Sequence, residues 1–395
     1  MTGLWNNRIF LKLTMHLHGV LQEALDFFGA RRRFKRAVDN AVTSDKHSIT
    51  RKMATKSADH AWFTGRSTPD IIWGNRVGRL ELRKVPLVLV SQIQRSGGTL
   101  LSQLLDGHPQ VLAHPSELYL GQPNKYFWPD LDLAASPETW FDYLKEPVAE
   151  VHALGGYHKN SPAGTKSIGQ NFHPFVFLQS LQQEIFVDLL VGKVGVSQRD
   201  ILDAYITSYF GAWLDYQHAY RQSEKLKYWS GFAPRLMTDK RNRELFFRDY
   251  PDGYWVAILR DPISWYASAS AHQPDTYGDV KKAVQLWTDC YQSVLDGAAE
   301  WPDRVVVLSF ETLVHSTEDQ MVSLSSRLGI DFGLSLLQPT FNTIPILADS
   351  SFEVAQHGVL AEPANRSGFV DERAQTYIQQ KTEGLYTRVA ELIQK

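Results

Sequence analysis

Residues 85–104, VPLVLVSQIQRSGGTLLSQL, leave this chain few ways to fold. Leu87 to Val90 is apolar and uncharged throughout, as in a strand buried on both faces of a parallel sheet. Pro86 stands just before it, where a strand tolerates proline. Residues 91–98 are mostly polar and close on two glycines. Apolar residues then return at helical spacing in Leu100, Leu101, Leu104 and Leu105. Strand, glycine loop and helix in that order gather successive backbone N–H groups and a helix N-terminus around one point. That is a cradle for an anion such as phosphate or sulfate. A glycine-rich turn with no ligand has the same local pattern, so the rest of the chain has to decide.

The loop is not the G-x-x-x-x-G-K-[ST] phosphate loop. No lysine follows Gly98, and the basic residue, Arg95, precedes the glycines. A second apolar run, Tyr254 to Leu259, leads into Arg260-Asp261-Pro262 and predicts a strand followed by a helix. Proline suits a first helical position because its missing N–H would be unpaired there anyway. Arg260 is suited to gripping a phosphate through bidentate, charge-assisted bonds. Ser268, eight residues on, brings a hydroxyl along the helix. An arginine that merely pairs Asp261 is the plainer alternative.

Two shorter segments follow the same logic. Val111-Leu112-Ala113 predicts a brief strand, followed by His114, Pro115, Ser116 and Glu117. In open parallel sheets ligands bind beyond the strands' carboxyl ends, so Glu117 is placed to accept a proton. His114 is the alternative base, and a helix cap or surface charge is the plainer use of either. Residues 234–240 read as another short strand ending at Lys240, with a helix to about Asp249. Lys166 faces either the anion or solvent. Ser197-Gln198-Arg199-Asp200 opens a helix with a capping serine and an acidic third residue. It leads into an aromatic stripe, Tyr205, Tyr209, Phe210, Trp213 and Tyr216, which fits core packing or a sugar platform.

Composition sets limits. The 395 residues carry 41 basic and 43 acidic side chains, a net charge of −2. A general nucleic-acid binder would be more basic, so any anion site is local. The single cysteine, Cys290, allows no internal disulfide, which suits a reducing compartment. No stretch reaches 18 uncharged apolar residues, so no transmembrane span is expected. Arg8 and Lys12 interrupt the first apolar run, which does not read as a signal peptide. Residues 1–82 read as a helical extension and linker, and residues 83–395 as the main domain, with a helical insertion near 171–230. The basic run from Arg31 to Arg36 reads as a solvated helix end or as a docking surface for a membrane or partner. No His/Cys cluster has metal-ligand spacing. The composition leaves the oligomeric state open.

Arg95-Ser96-Gly97-Gly98-Thr99-Leu100-Leu101 resembles the 5′-phosphosulfate loop of sulfotransferases that use 3′-phosphoadenosine-5′-phosphosulfate (PAPS). The membrane-bound and bacterial carbohydrate and protein sulfotransferases read R-S-G-[ST]-T-L-L there, and Gly98 departs from that pattern. Arg260 to Ser268 resembles the family's 3′-phosphate element. The two elements in this order are specific together, and the likeness spans about residues 85–352. It implies an α/β fold, a P-loop-like three-layer sandwich with a central parallel sheet flanked by helices. It implies PAPS as sulfuryl donor with no metal required, and a hydroxyl acceptor, with carbohydrate favoured. Arg95, Ser96, Gly97, Gly98, Thr99 and Leu100 would bind the 5′ end, and Arg260 and Ser268 the 3′-phosphate. Glu117 matches the family's general base, whereas cytosolic members use a histidine later in the chain. Lys240 is similar to the lysine of a K-x-P-x-N element that touches the sulfuryl group, although Asn242 and Glu244 stand where proline and asparagine are expected. Phe310-Glu311 resembles a [YF]-E-D-L element. Asn365-Arg366-Ser367-Gly368 is similar to the R-K-G loop that closes over the nucleotide, without its lysine, and adds Arg366. Animal Golgi members carry a membrane anchor that is not seen here, which favours a bacterial, cytoplasmic protein. The competing readings are a P-loop-like nucleotide-dependent kinase and a non-catalytic nucleotide-binding module.

Overall fold

Leu87–Val90 (β1) is fully buried and lies at the centre of a five-stranded sheet. The other strands are Val111–Glu117 (β2), Tyr228–Phe232 (β3), Tyr254–Leu259 (β4) and Val305–Ser309 (β5). Their order is β2-β3-β1-β4-β5, and every pairing is parallel. Leu89 faces Gly231 on one side and Trp255 on the other. The all-apolar strand therefore has a simple cause: neighbours cover both edges and helices cover both faces.

This computed structural model describes residues 73–120, 126–145, 157–158, 172–173, 175–217, 226–346, 358–360 and 365–393. The chain divides into two units, 1–80 with 165–168, and 81–164 with 169–395. Of the first, only 73–80 are described, a helical turn in which Arg76 and Val77 N–H donate to the Trp73 carbonyl. The expected N-terminal helix and its basic run lie outside the described residues, as does Lys166.

The second unit has the expected three layers. On one face, Val88, Val90, Val256, Ile258, Val306 and Leu308 pack against Leu101, Leu104 and Leu105 of Gly98–Leu105 (α1). Leu313, Met321, Leu324 and Leu328 extend that core. On the other face Trp255 meets Val280–Glu300 (α2) so closely that a Cβ on Gly297 would overlap its ring. Each fully buried aliphatic or aromatic side chain contributes roughly 1.5–3 kcal/mol relative to exposure. Cys290 of α2 is buried, and burial pushes its thiol up to about 12, so it is an inert core group.

Two elements differ from expectation. β2 does not stop at Ala113 but continues through His114 and Pro115 to Glu117, with a register shift between Ala113 and Glu117. Proline is tolerated there because β2 is the edge strand. Residues 234–240 are not a strand. The strand is β3, upstream, and Pro234 brings no N–H to prolong the ladder. Arg235 then turns left-handed, with φ 60°, into the 3-10 turn Leu236–Thr238. Helix Lys240–Asp249 (α3) follows, capped by Asp239.

Helices Gln179–Leu190 (α4) and Gln198–Ala212 (α5) fall within residues 171–230, and Ser197 and Asp200 form the predicted capping box. Tyr205, Tyr209, Trp213 and Tyr216 are at most 1% exposed. Trp213 stacks on Tyr216 at 4.6 Å and meets Phe175 edge-on at 4.8 Å. The aromatic stripe is therefore core.

Candidate active site

The loop between β1 and α1 is held from outside by its carbonyls. Trp255 Nε1 donates to Ser91 O (2.7 Å) and Arg235 N to Gln92 O (2.9 Å). Trp265 Nε1 donates to Gln94 O (2.8 Å) and Arg260 Nη1 to Arg95 O (2.7 Å). These donors come from β4 and the residue after it, from the segment after β3, and from the helix Pro262–His272 (α6). Helix α1 has no side-chain cap, and its first internal bond runs from Leu101 N to Gly97 O. The N–H groups of Gly98, Thr99 and Leu100 therefore have no acceptor within the helix, and they add to its positive end. Arg95 takes φ 66° despite its Cβ, a strain of roughly 1–2 kcal/mol. Gly97 takes φ 96°, and a Cβ there would come within 2.6 Å of Phe310 Cδ2. Ser96 is fully buried, and Tyr291 beside it donates to Ile258 O (2.7 Å).

Arginines gather around this loop. Arg260, after β4, is 4% exposed, and its guanidinium lies 4.3 Å from the Phe310 ring centroid. Burial pushes its pKa down to about 10, assisted by the positive charges of Arg366 and Arg95, while Glu311 opposes the shift. Arg366 is likewise pushed down to about 10 by burial and by Arg95. Arg95 Nε makes a long contact, 3.5 Å, with Ser268 Oγ on α6, and Arg366 N donates to Ser264 Oγ one turn earlier (3.2 Å). Four residues far apart in sequence, Arg95, Arg260, Ser268 and Arg366, thus meet at one helix N-terminus. Three mutually repelling guanidiniums and open helix N–H groups fit a multiply charged anion. Phe310 and Glu311 complete the support. Glu311 Oε1 accepts from Asp261 N (2.9 Å), which fixes the chain next to Arg260. Sequence reasoning passed over Phe310 as a functional residue, although it occupies the aromatic position of the Phe-Glu pair.

On the β2 side, Glu117 is half-buried and pairs in register with Phe232, the last residue of β3. A Cβ on Gly98 would overlap the Phe232 ring, so Glu117 sits one strand away from the glycine loop. His114 is 1% exposed, with Nδ1 3.0 Å from Ser116 O and its ring 4.8 Å from Tyr209. It belongs to the aromatic packing of α5. Lys240 is not brought to this group. Its side chain is 65% exposed, and Nζ lies 3.7 Å from Glu244 Oε1 one turn along α3. Among the described residues, no three His, Cys, Asp or Glu side chains are grouped to hold a metal. No helix among them is long and apolar enough to cross a membrane.

No protein-family model matches the chain, and no curated protein matches it. Solved structures do. The chain is similar to the sulfotransferase domain of the Synechococcus PCC 7002 olefin synthase at 18% identity, over 78% of this chain and 96% of that one, with a TM-score of 0.43. The sulfotransferase domain from the curacin biosynthetic pathway matches at 16% identity over 77% and 98%, with a TM-score of 0.45. A sulfotransferase from Alicyclobacillus acidocaldarius matches at 12% identity over 79% and 97%, with a TM-score of 0.40.

Proposed function

We propose that this chain is a PAPS-dependent sulfotransferase that moves a sulfuryl group to an acceptor hydroxyl. The observation that carries the reading is the meeting of Arg95, Arg260, Arg366 and Ser268 at the N-terminus of α1. A nucleotide with phosphates at both ends of its ribose needs two anion sites, and the cluster offers the loop for one and Arg260 with Ser268 for the other. Gly97 suits this use, because its backbone conformation and its contact with Phe310 leave no room for a side chain.

When bound, PAPS supplies the sulfuryl group and a phosphate leaving group. The residues of this chain do the rest. The N–H groups of α1 and Arg95 hold the 5′-phosphate oxygen that receives the bonding pair as the sulfur–oxygen bond breaks. Arg260, braced on Phe310, and Ser268 hold the 3′-phosphate and so fix the donor's register. Arg366 adds positive charge to the same volume. Glu117 takes the acceptor proton as the acceptor oxygen bonds to sulfur. Catalysis of this kind is positioning and charge stabilisation. The carbohydrate acceptor rests on the resemblance of the Arg-Ser-Gly loop alone, and an acceptor screen with radiolabelled PAPS over sugars, phenols and peptide tyrosines tests it.

The decisive experiment on the site itself is calorimetry with 3′-phosphoadenosine-5′-phosphate (PAP) against adenosine diphosphate. PAP is expected to bind tighter by tenfold or more, because Arg260 and Ser268 read the 3′-phosphate. Equal affinity for the two nucleotides overturns the reading. Magnesium-dependent turnover of ATP that EDTA abolishes would replace it with a kinase.

A further inference from the structure

One buried polar side chain of the loop, Gln92, is held in place and yet makes no side-chain hydrogen bond among the described residues. Gln92 is the second residue after β1 and is 1% exposed. Neither its Nε2 nor its Oε1 has a hydrogen-bond partner among the described residues. A buried amide left in this state is costly, and such groups call for an explanation. Its backbone is well held, since its carbonyl accepts from Arg235 N. The chain therefore fixes the position of Gln92 and leaves its amide unused.

The amide lies against the start of α1. A Cβ built on Gly98 would overlap Gln92 Nε2 and Phe232 Cε2. Gly98 follows Gly97, the left-handed glycine that caps the helix. In a G-K-[ST] phosphate loop the residue in that place is the lysine, whose side chain reaches the outer phosphates. A side chain in this place is thus aimed at the group beyond the first phosphate. Here it is missing, and a neutral amide from the start of the same loop fills the vacated volume. The Phe232 ring shares that volume and keeps it dry, which strengthens any hydrogen bond made there.

We propose that Gln92 is a donor-binding residue whose Nε2 donates a hydrogen bond to an oxygen of the sulfuryl group, taking the place of the side chain that Gly98 lacks. The assignment rests on the reading of the loop as a PAPS site. It also accounts for the departure from R-S-G-[ST]-T-L-L at residue 98, because a serine or threonine there would collide with Gln92 and Phe232. Gln92 forms no bond to sulfur and moves no proton. Its amide is occupied when the sulfuryl group is present and idle when only PAP remains, so it distinguishes donor from product.

The test compares wild type with Gln92→Met, which keeps the length of the side chain and removes its donor, and with Gln92→Leu as a second packing variant. Affinities for PAPS and PAP are measured by calorimetry, and thermal midpoints without ligand by scanning calorimetry. The expected result is a loss of PAPS affinity of about tenfold with PAP affinity within about twofold of wild type, and an unliganded midpoint equal to wild type or higher. An unchanged PAPS-to-PAP affinity ratio in both variants overturns the assignment and makes Gln92 a filler of the core. Equal losses for PAPS and PAP also overturn it, because they report a disturbed loop. If wild type binds no PAP at all, the reading of the site fails first, a result distinct from either of these, and the assignment falls with it.

Discussion

The two halves of the sheet's carboxyl edge are built on different physics. The half around β1, β4 and the segment near Arg366 collects charge: three arginines, a helix N-terminus, and loop carbonyls tied down by Trp255, Trp265, Arg235 and Arg260. The half around β2 and α5 collects rings. His114 packs on Tyr209, Tyr209 on Phe177 at 4.9 Å, and Trp213 on Phe341 at 5.5 Å, with the half-buried carboxylate of Glu117 beside them. The charged half is costly without a ligand, since buried guanidiniums repel one another. The aromatic half is stable without one. A site suited to an anion has to hold strain and charge ready, whereas the aromatic half is ordinary core with one carboxylate at its margin.

The largest expected effect breaks the comparison at that margin. Glu117→Gln keeps the shape of the side chain and cannot accept a proton, so kcat should fall by roughly 10²–10⁴-fold. PAP affinity should stay at the wild-type value, because the carboxylate is not part of the arginine cluster. His114→Asn should cost far less turnover. A dead His114→Asn beside an active Glu117→Gln moves the base to His114. Two active variants place the proton acceptor outside β2.

The next effect sharpens the charged half. Arg260→Ala removes the buried guanidinium proposed to grip the 3′-phosphate, so PAP affinity should drop by about 2 kcal/mol, roughly 30-fold, with adenosine diphosphate affinity falling less. Arg366→Met separates ligand binding from stability. Arg366 titrates near 10 in the fold, below its ordinary value of 12.5. A base with a lowered folded-state pKa disfavours its own charged form, so the penalty is present at every pH below about 10 and disappears only above the unfolded value. At pH 7 Arg366→Met should therefore raise the unliganded thermal midpoint while weakening PAP binding. A lower midpoint would make Arg366 a structural residue.

The charged half was also the legible one. β1, β4 and α1 stand where apolar runs and glycines put them, because a strand covered on both faces leaves an unbroken apolar run. Arg95, Arg260 and Ser268 stand at fixed steps from those strands, so their meeting could be expected. Arg366 lies about a hundred residues further on, and only the folded chain shows it repelling the other two. The region after β3 misleads because serine and glycine interrupt the aromatic run Tyr228–Phe232, while Leu236-Met237 ahead of a basic residue imitates a strand end. The deciding facts, a proline without an N–H and a left-handed Arg235, act on the backbone. Gln92 was passed over because an amide in a polar loop has no periodic signature.

The smallest effect concerns Lys240, and it tests whether the charged half ends at the cluster. The sequence assigned this lysine to the leaving oxygen because it follows an apparent strand and resembles a family lysine. The structure puts it at the first position of α3, 65% exposed and facing Glu244 four residues on. An exposed pair at that spacing is worth about 0.3–0.5 kcal/mol to the helix. A charge so placed is screened by water and salt, and it gains little from a transition state it does not touch. Lys240→Ala should therefore change kcat and PAP affinity by less than about threefold and the thermal midpoint by about a degree. Arg95, held by the loop that cradles the anion, then carries the leaving group's charge, and Arg95→Ala should lose turnover where Lys240→Ala does not. If Lys240→Ala instead loses kcat tenfold or more at unchanged PAP affinity, α3 swings its first turn onto the donor during turnover, and the boundary between the two halves moves to include it.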